Sequence, residues 1–212
     1  MVDLNQLGDA IERGDRDAAK ALTQAAIEEG LHPQGILDVM TAAMDVVGRR
    51  FQRQEIFIPE MLIAARAMKE ATALLEPLLV QAGFKPVAKA VIGTVEGDLH
   101  DIGKNLVVMM WRGANIEVID LGANASPEKF VAAVREHQPQ LVGLSALLTT
   151  TMPAMRRTLE AFRDAGLYAF KTLIGGAPVT PRFAEEIGAD GYAADAASAV
   201  DLARTLLKTI SG

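Results

Sequence analysis

A histidine stands between two carboxylates in the run Gly97-Asp98-Leu99-His100-Asp101-Ile102-Gly103. An acid held against an imidazole fixes which ring nitrogen keeps its proton and makes the other more basic, which is how proteins prepare a histidine to hold a metal. An apolar run, Ala88 to Thr94, precedes the motif, and an amphipathic stretch follows it. The motif therefore reads as the loop between a strand and a helix. Asp98 and Asp101 also suit helix N-caps, since acids favour helix N-termini.

The composition narrows the chemistry. The chain has 212 residues, half of them apolar, and a net charge of -6. A phosphate-backbone partner favours a basic face, so no nucleic acid is expected. There is no cysteine, which excludes disulfides, zinc–thiolate sites and cysteine-held iron–sulfur clusters. The histidines are His32, His100 and His137. Three are few for a cage made by protein alone; a metal carried in by a macrocycle needs just one protein ligand. No apolar run nears the roughly 18 residues of a membrane span, and Met1-Val2-Asp3-Leu4 has no basic lead into an apolar stretch. No membrane partner and a cytoplasmic location are expected.

Two textures divide the chain. Residues 1–84 read as four helices, roughly 3–13, 15–30, 33–53 and 59–82. Ile36, Val39, Met40, Ala43, Val46, Val47 and Phe51 recur at helical spacing, as do Met61, Leu62, Ala65, Met68, Ala71, Leu74, Leu75 and Leu78. Gly14, Gly30 with Pro33, and Pro59 punctuate the joins. A small helical bundle is the natural product. Residues 85–212 alternate instead: strands at 88–94, 116–120, 141–145, 172–174 and 191–193, helices at 102–113, 127–137, 151–165, 181–187 and 196–210. Such alternation predicts a doubly wound, flavodoxin- or Rossmann-like parallel sheet of five strands with helices on both faces. Ligands of that fold sit outside the carboxyl ends of the strands. Three loops should converge there, at Asp98–Gly103, Ser145–Thr151 and Gly175-Gly176.

Taken together the three loops form a pattern. Asp-x-His-x-x-Gly runs from Asp98 to Gly103, Ser-x-Leu follows at Ser145 and Leu147 after 41 residues, and Gly175-Gly176 comes 27 residues after Leu147. This resembles the cobalamin-binding signature of the corrinoid modules of methionine synthase and of methanogen and acetogen methyltransferases. Phe51 to Met68, FQRQEIFIPEMLIAARAM, is similar to the helical cap segment of that family, and Leu148-Thr149-Thr150-Thr151-Met152 to a phrase of its free-standing carriers.

The resemblance implies an α/β fold in which a helical cap, residues 1–84, precedes a cobalamin-binding domain, residues 85–212. His100 would be the lower cobalt ligand, replacing the cofactor's own base. Asp98 would accept a hydrogen bond from the other ring nitrogen, and Thr151 would continue that relay. Gly97, Leu99 and Asp101 would flank the corrin. Gly103, Gly175 and Gly176 would let backbone approach the buried nucleotide tail, because a Cβ fills such space. Ser145, Leu147 and Thr149 would line the tail slot, with Ala196 at its border. Phe51, Ile58 and Met61 would cover the upper face, although on pattern alone such residues are more often core than lid. Gln54 stands where the family usually has glycine.

The function implied is that of a methyl carrier, a subunit that turns over only with partner enzymes. One partner is a substrate-specific methyltransferase, another a second methyltransferase serving tetrahydrofolate or coenzyme M, and a third a reductive activation protein. The alternatives are a cobalamin-dependent regulator and the cobalamin-binding subunit of a mutase. Neither a basic nor a helix-turn-helix segment favours the regulator, and the helical cap argues against the mutase.

Overall fold

A computed structural model of the protein describes residues 2–83 and 85–210. Phe84, the last residue of the expected helical domain, lies outside the described residues, as do Met1, Ser211 and Gly212. The chain falls into two compact units, Met1–Pro86 with Gly113–Asn115, and Val87–Arg112 with Ile116–Gly212. No helix among the described residues is long and apolar enough to cross a membrane.

The first unit holds α1 (Leu4–Glu12), α2 (Arg16–Glu28), α3 (Pro33–Gln52) and α4 (Ile58–Gln81). Side chains that accept from otherwise unpaired amides begin them: Asp3 from Asn5, Asp15 from Ala18, and Glu60 reaching back to Phe57. His32 caps α3 through Nδ1, 3.3 Å from the Gln34 amide, with Pro33 at the first helical position. The core draws on Leu7, Ile11, Ile36, Met40, Met44, Val47, Met61, Met68 and Leu75, all buried. Leu62 departs from expectation and is exposed. It follows Met61 by one residue, about 100° round the helix, and so leaves the stripe that Met61, Ala64, Ala65, Met68, Ala71 and Leu75 bury. Gln54 has a φ of +59°, the left-handed region that glycine enters freely.

The second unit alternates β1 (Ala88–Thr94), α5 (Ile102–Gly113), β2 (Ile116–Asp120), α6 (Pro127–His137), β3 (Leu141–Ser145), α7 (Met152–Asp164), β4 (Lys171–Gly175), α8 (Pro181–Ile187), β5 (Gly191–Ala193) and α9 (Ala196–Ile210). All five strands are parallel, in the order β2-β1-β3-β4-β5. The central strands β1, β3 and β4 are largely buried on both faces, as interior strands of a parallel sheet are, while the edge strands β2 and β5 are partly exposed. On one face Phe130 and Phe162, edge to face at 6.5 Å, join Met155 and Leu159 over Val91, Val142 and Ile174. On the other, the buried Trp111 of α5 donates its Nε1–H to the Ala199 carbonyl of α9 at 3.1 Å. Two elements differ slightly from the sequence reading. Thr151 stands just before α7 rather than within it, and β4 gains Lys171 and Gly175, whose places are set by pairing with Leu141 and Ser145.

Candidate functional site

Strand register puts the loop origins on one level. Thr94 pairs with Ser145, Ser145 with Gly175, and Gly175 with Ala193. The chain leaves β1 toward one face of the sheet and β3 toward the other, so their loops part at a switch point where this fold takes ligands. The 95–101 and 146–151 loops meet there.

Their meeting point is the carboxylate of Asp98, which is fully buried. Its Oδ1 accepts the His100 amide at 3.0 Å and lies 2.8 Å from His100 Nδ1. Its Oδ2 accepts the Leu147 amide at 2.7 Å, the Thr151 hydroxyl at 2.7 Å and the Leu148 amide at 3.3 Å. Burial works to raise the carboxyl's pKa. The hydrogen bonds from the His100 amide, the Thr151 hydroxyl, the Leu147 amide and the His100 ring outweigh it and hold the group well below the usual carboxylate range. An ionised carboxylate can only accept, so Nδ1 donates to it, and in the neutral ring this leaves the lone pair on Nε2. About half of the His100 side chain is exposed. Beneath it, the buried Thr94 hydroxyl donates to the His100 carbonyl at 3.0 Å. The Thr151 hydroxyl also lies 2.9 Å from the Leu148 carbonyl; its single proton goes to the carboxylate, the stronger acceptor.

Apolar side chains on the same two loops and at the start of α5 stand exposed. Leu99 is 75% exposed and Ile102 69%, while Leu147 and Leu148 are each exposed beside the second loop. The glycines play different parts. At Gly103 an added Cβ would meet nothing within 4 Å, so open space lies over the first turn of α5. Gly97 has a φ of +83°, which its turn requires. A Cβ on Gly176, at φ +132°, would overlap the Ala146 carbonyl oxygen, and one on Gly175 would lie 2.9 Å from the Ala193 carbonyl oxygen. The chain's own neighbouring backbone therefore demands both of the last two. Ser145 ends β3 half-buried, and its carbonyl accepts the Val95 amide at 3.0 Å. Thr149 is exposed on the loop, Asp101 is half-buried with its carbonyl accepting the Asn105 amide, and Ala196 is buried at the first position of α9.

In the helical unit Ile58 opens α4 and is exposed, Phe51 is half-buried near the end of α3, and Met61 is buried.

Asn124, outside the expected set, reaches the loop that carries His100, and an ion pair of the buried Lys104 with Asp120 lies on neighbouring elements. Asn124 Oδ1 accepts the Gly97 amide at 2.8 Å, and its own amide donates to the Asp98 carbonyl at 2.9 Å. Lys104 is buried, its Nζ 2.6 Å from both oxygens of Asp120 and from Asn105 Oδ1. Asp120 Oδ1 also accepts the Gly122 amide at 2.9 Å, and the Gly122 carbonyl accepts the Thr94 amide. A signal for Lys104 was present: at helical spacing it shares the face of Val108 and Trp111, where a lysine needs a buried partner. Asn124, a single loop residue, had none.

Comparison with known proteins shows the family of the chain. Two families described as B12 binding domain match, one over residues 88–201 and the other over residues 3–76. A corrinoid protein of Desulfitobacterium hafniense is 40% identical, over 96% of this chain and 97% of its own length. Trimethylamine corrinoid protein 2 of Methanosarcina acetivorans is 38% identical, over 95% and 94%. In the crystal structure of the methanol:cobalamin methyltransferase complex from Methanosarcina barkeri, one chain aligns with a TM-score of 0.86 at 31% identity, covering 97% of this chain and 79% of that one.

Proposed function

The chain belongs to the B12-binding corrinoid proteins, and from that membership we propose that it is a methyl carrier whose cobalt is held by His100. The residues fit a corrinoid. His100 offers one unshared nitrogen at the loop tips, exposed Leu99 and Ile102 offer apolar contact to a flat ring, and the open space at Gly103 leaves room that a side chain would fill. Bound there, the corrinoid supplies a cobalt that accepts a methyl group and gives it up again.

The chain's own residues do the rest. His100 would bind cobalt through Nε2. Asp98 Oδ1 holds the Nδ1 proton, so it orients the ring and raises the donor strength of Nε2. Thr151, by donating to Asp98 Oδ2, keeps that carboxylate ionised and fixed. Gly97 and Asp101 would flank the ring. Ser145, Leu147, Thr149, Gly175, Gly176 and Ala196 would border the nucleotide arm beyond the strand ends. Phe51, Ile58 and Met61 would supply an apolar cover that excludes water.

A substrate-specific methyltransferase would load the carrier; the trimethylamine and methanol names of its relatives support a partner of that kind. A second methyltransferase, acting on tetrahydrofolate or coenzyme M, and a reductive activation protein complete the proposed set. Matches along the full length to corrinoid proteins favour this reading over a regulator or a mutase subunit.

The observation that carries the proposal is the 2.8 Å contact of His100 Nδ1 with a buried carboxylate, which leaves Nε2 as the free nitrogen. Reconstitution of His100→Ala with cobalamin tests it. The variant should lose tight retention of the corrinoid or show an altered absorption spectrum. A base-off, histidine-bound spectrum unchanged by the substitution would overturn the assignment.

A further inference from the structure

We propose that Asn124, on the loop between β2 and α6, is a positioning residue for the His100 loop. The inference rests on the corrinoid reading above and extends it to a residue outside the motif loops. Asn124 grips two consecutive residues at once: its side-chain oxygen accepts from Gly97 N, and its backbone N–H donates to Asp98 O. Gly97 sits at φ +83°, a conformation with no Cβ to restrain it, directly before the carboxylate that orients the imidazole. A mobile glycine hinge at that point would let Asp98 drift. The Asn124 side chain removes this freedom.

The same loop is itself anchored. The Ala125 amide donates to the Thr94 carbonyl at 2.9 Å, and Val95 and Ala125 form a parallel bridge. Asp120, paired with the buried Lys104, holds Gly122, whose carbonyl takes the Thr94 amide. Asn124 therefore transmits the position of a rigid sheet edge to the flexible side of Asp98. Its backbone φ is +53°, a left-handed value that asparagine tolerates and most residues do not. Its side chain is exposed, so a substitution leaves no core cavity.

The geometry makes Asn124→Gly the informative change, because glycine tolerates the left-handed backbone while losing the side-chain acceptor. Asn124→Asp restores an acceptor at the same place. Three quantities are measured on wild type and both variants: hydrogen exchange of the Gly97 amide in the corrinoid-free protein, cobalamin affinity, and the nitrogen hyperfine pattern of the cobalt(II) form by electron paramagnetic resonance. In Asn124→Gly the Gly97 amide should exchange about threefold to tenfold faster, affinity should fall by about the same factor, the scale of one lost hydrogen bond, and the axial-nitrogen pattern should broaden. Asn124→Asp should return all three toward wild type.

Wild-type values for all three in a folded Asn124→Gly variant would overturn the proposal, and so would failure of Asn124→Asp to restore them. Thermal unfolding of each variant separates these outcomes from misfolding. If wild type itself bound no corrinoid, the function proposed above would fall, while Gly97 exchange in the free protein would still decide the Asn124 contact.

Discussion

Asp98 Oδ2 accepts a hydrogen bond of 2.7 Å from the Thr151 hydroxyl, a residue 53 positions further along the chain. This bond ties the loop after β1 to the turn that opens α7. The carboxylate of Asp98 thus faces His100 with one oxygen and the second loop with the other. The orientation of one imidazole depends on two loops packed against each other.

Replacing Thr151 by valine keeps the shape and deletes the donor. A buried ionised acceptor then loses a charge-assisted partner, at a cost of about 1–3 kcal/mol. Urea unfolding of the corrinoid-free protein should show that loss, and Thr151→Ser should recover most of it. Equal stability of the valine variant and wild type would contradict the bond's importance.

Asp98 also gives stability a pH dependence of known sign. Its folded pKa lies below the unfolded value of about 3.9. Its contribution is therefore present above the unfolded value and is lost as pH falls toward the folded one. In corrinoid-free protein, Asp98→Asn should be less stable than wild type by about 2–3 kcal/mol at pH 7, the scale of hydrogen bonds to a charged group. The gap should narrow below about pH 4. A gap that stays constant between pH 7 and pH 3 would count against this account.

The glycines separate by substitution. Gly103→Ala meets nothing and lies within a helix, so the free protein should gain about 0.5–1 kcal/mol. Its cobalamin affinity should fall if the corrinoid takes the proposed place, because the methyl group would occupy that space. Gly176→Ala should instead destabilise the free protein by about 3 kcal/mol or more, since the Ala146 carbonyl blocks the new Cβ and the backbone is left-handed. Thermal unfolding and cobalamin titration of the pair check both directions.

Gln54 offers a stabilising change. At φ +59° a side chain with a Cβ is strained by about 1 kcal/mol. Gln54→Gly should raise the stability of the protein by roughly that amount in a denaturant titration. A loss of stability would show that the side chain's other contacts matter more.

Much of this architecture was legible in the chain because its punctuation is strong. Ser126-Pro127 and Thr180-Pro181 place a capping oxygen and a proline where α6 and α8 begin, and the two hydroxyls accept the Lys129 and Phe183 amides. The Asp98–His100 contact followed from two residues close in sequence, and the Thr151 contact from the family resemblance. Other features carried no periodic signal. Leu62 is apolar at nearly the right spacing, yet a shift of one residue turns it out of the stripe. The Asn124 clamp joins loops 27 positions apart through one amide side chain and one backbone conformation. The pairing of Lys104 with Asp120 depends on which strand lies beside which helix, and that is decided by the fold as a whole.

With Nδ1–H committed to Asp98, His100 is monodentate: its ring has a single coordinating atom left to give. One such bond can support a metal from below without enclosing it. In the proposed carrier role, cargo could then arrive from one visiting protein and depart with another without the anchoring nitrogen being given up.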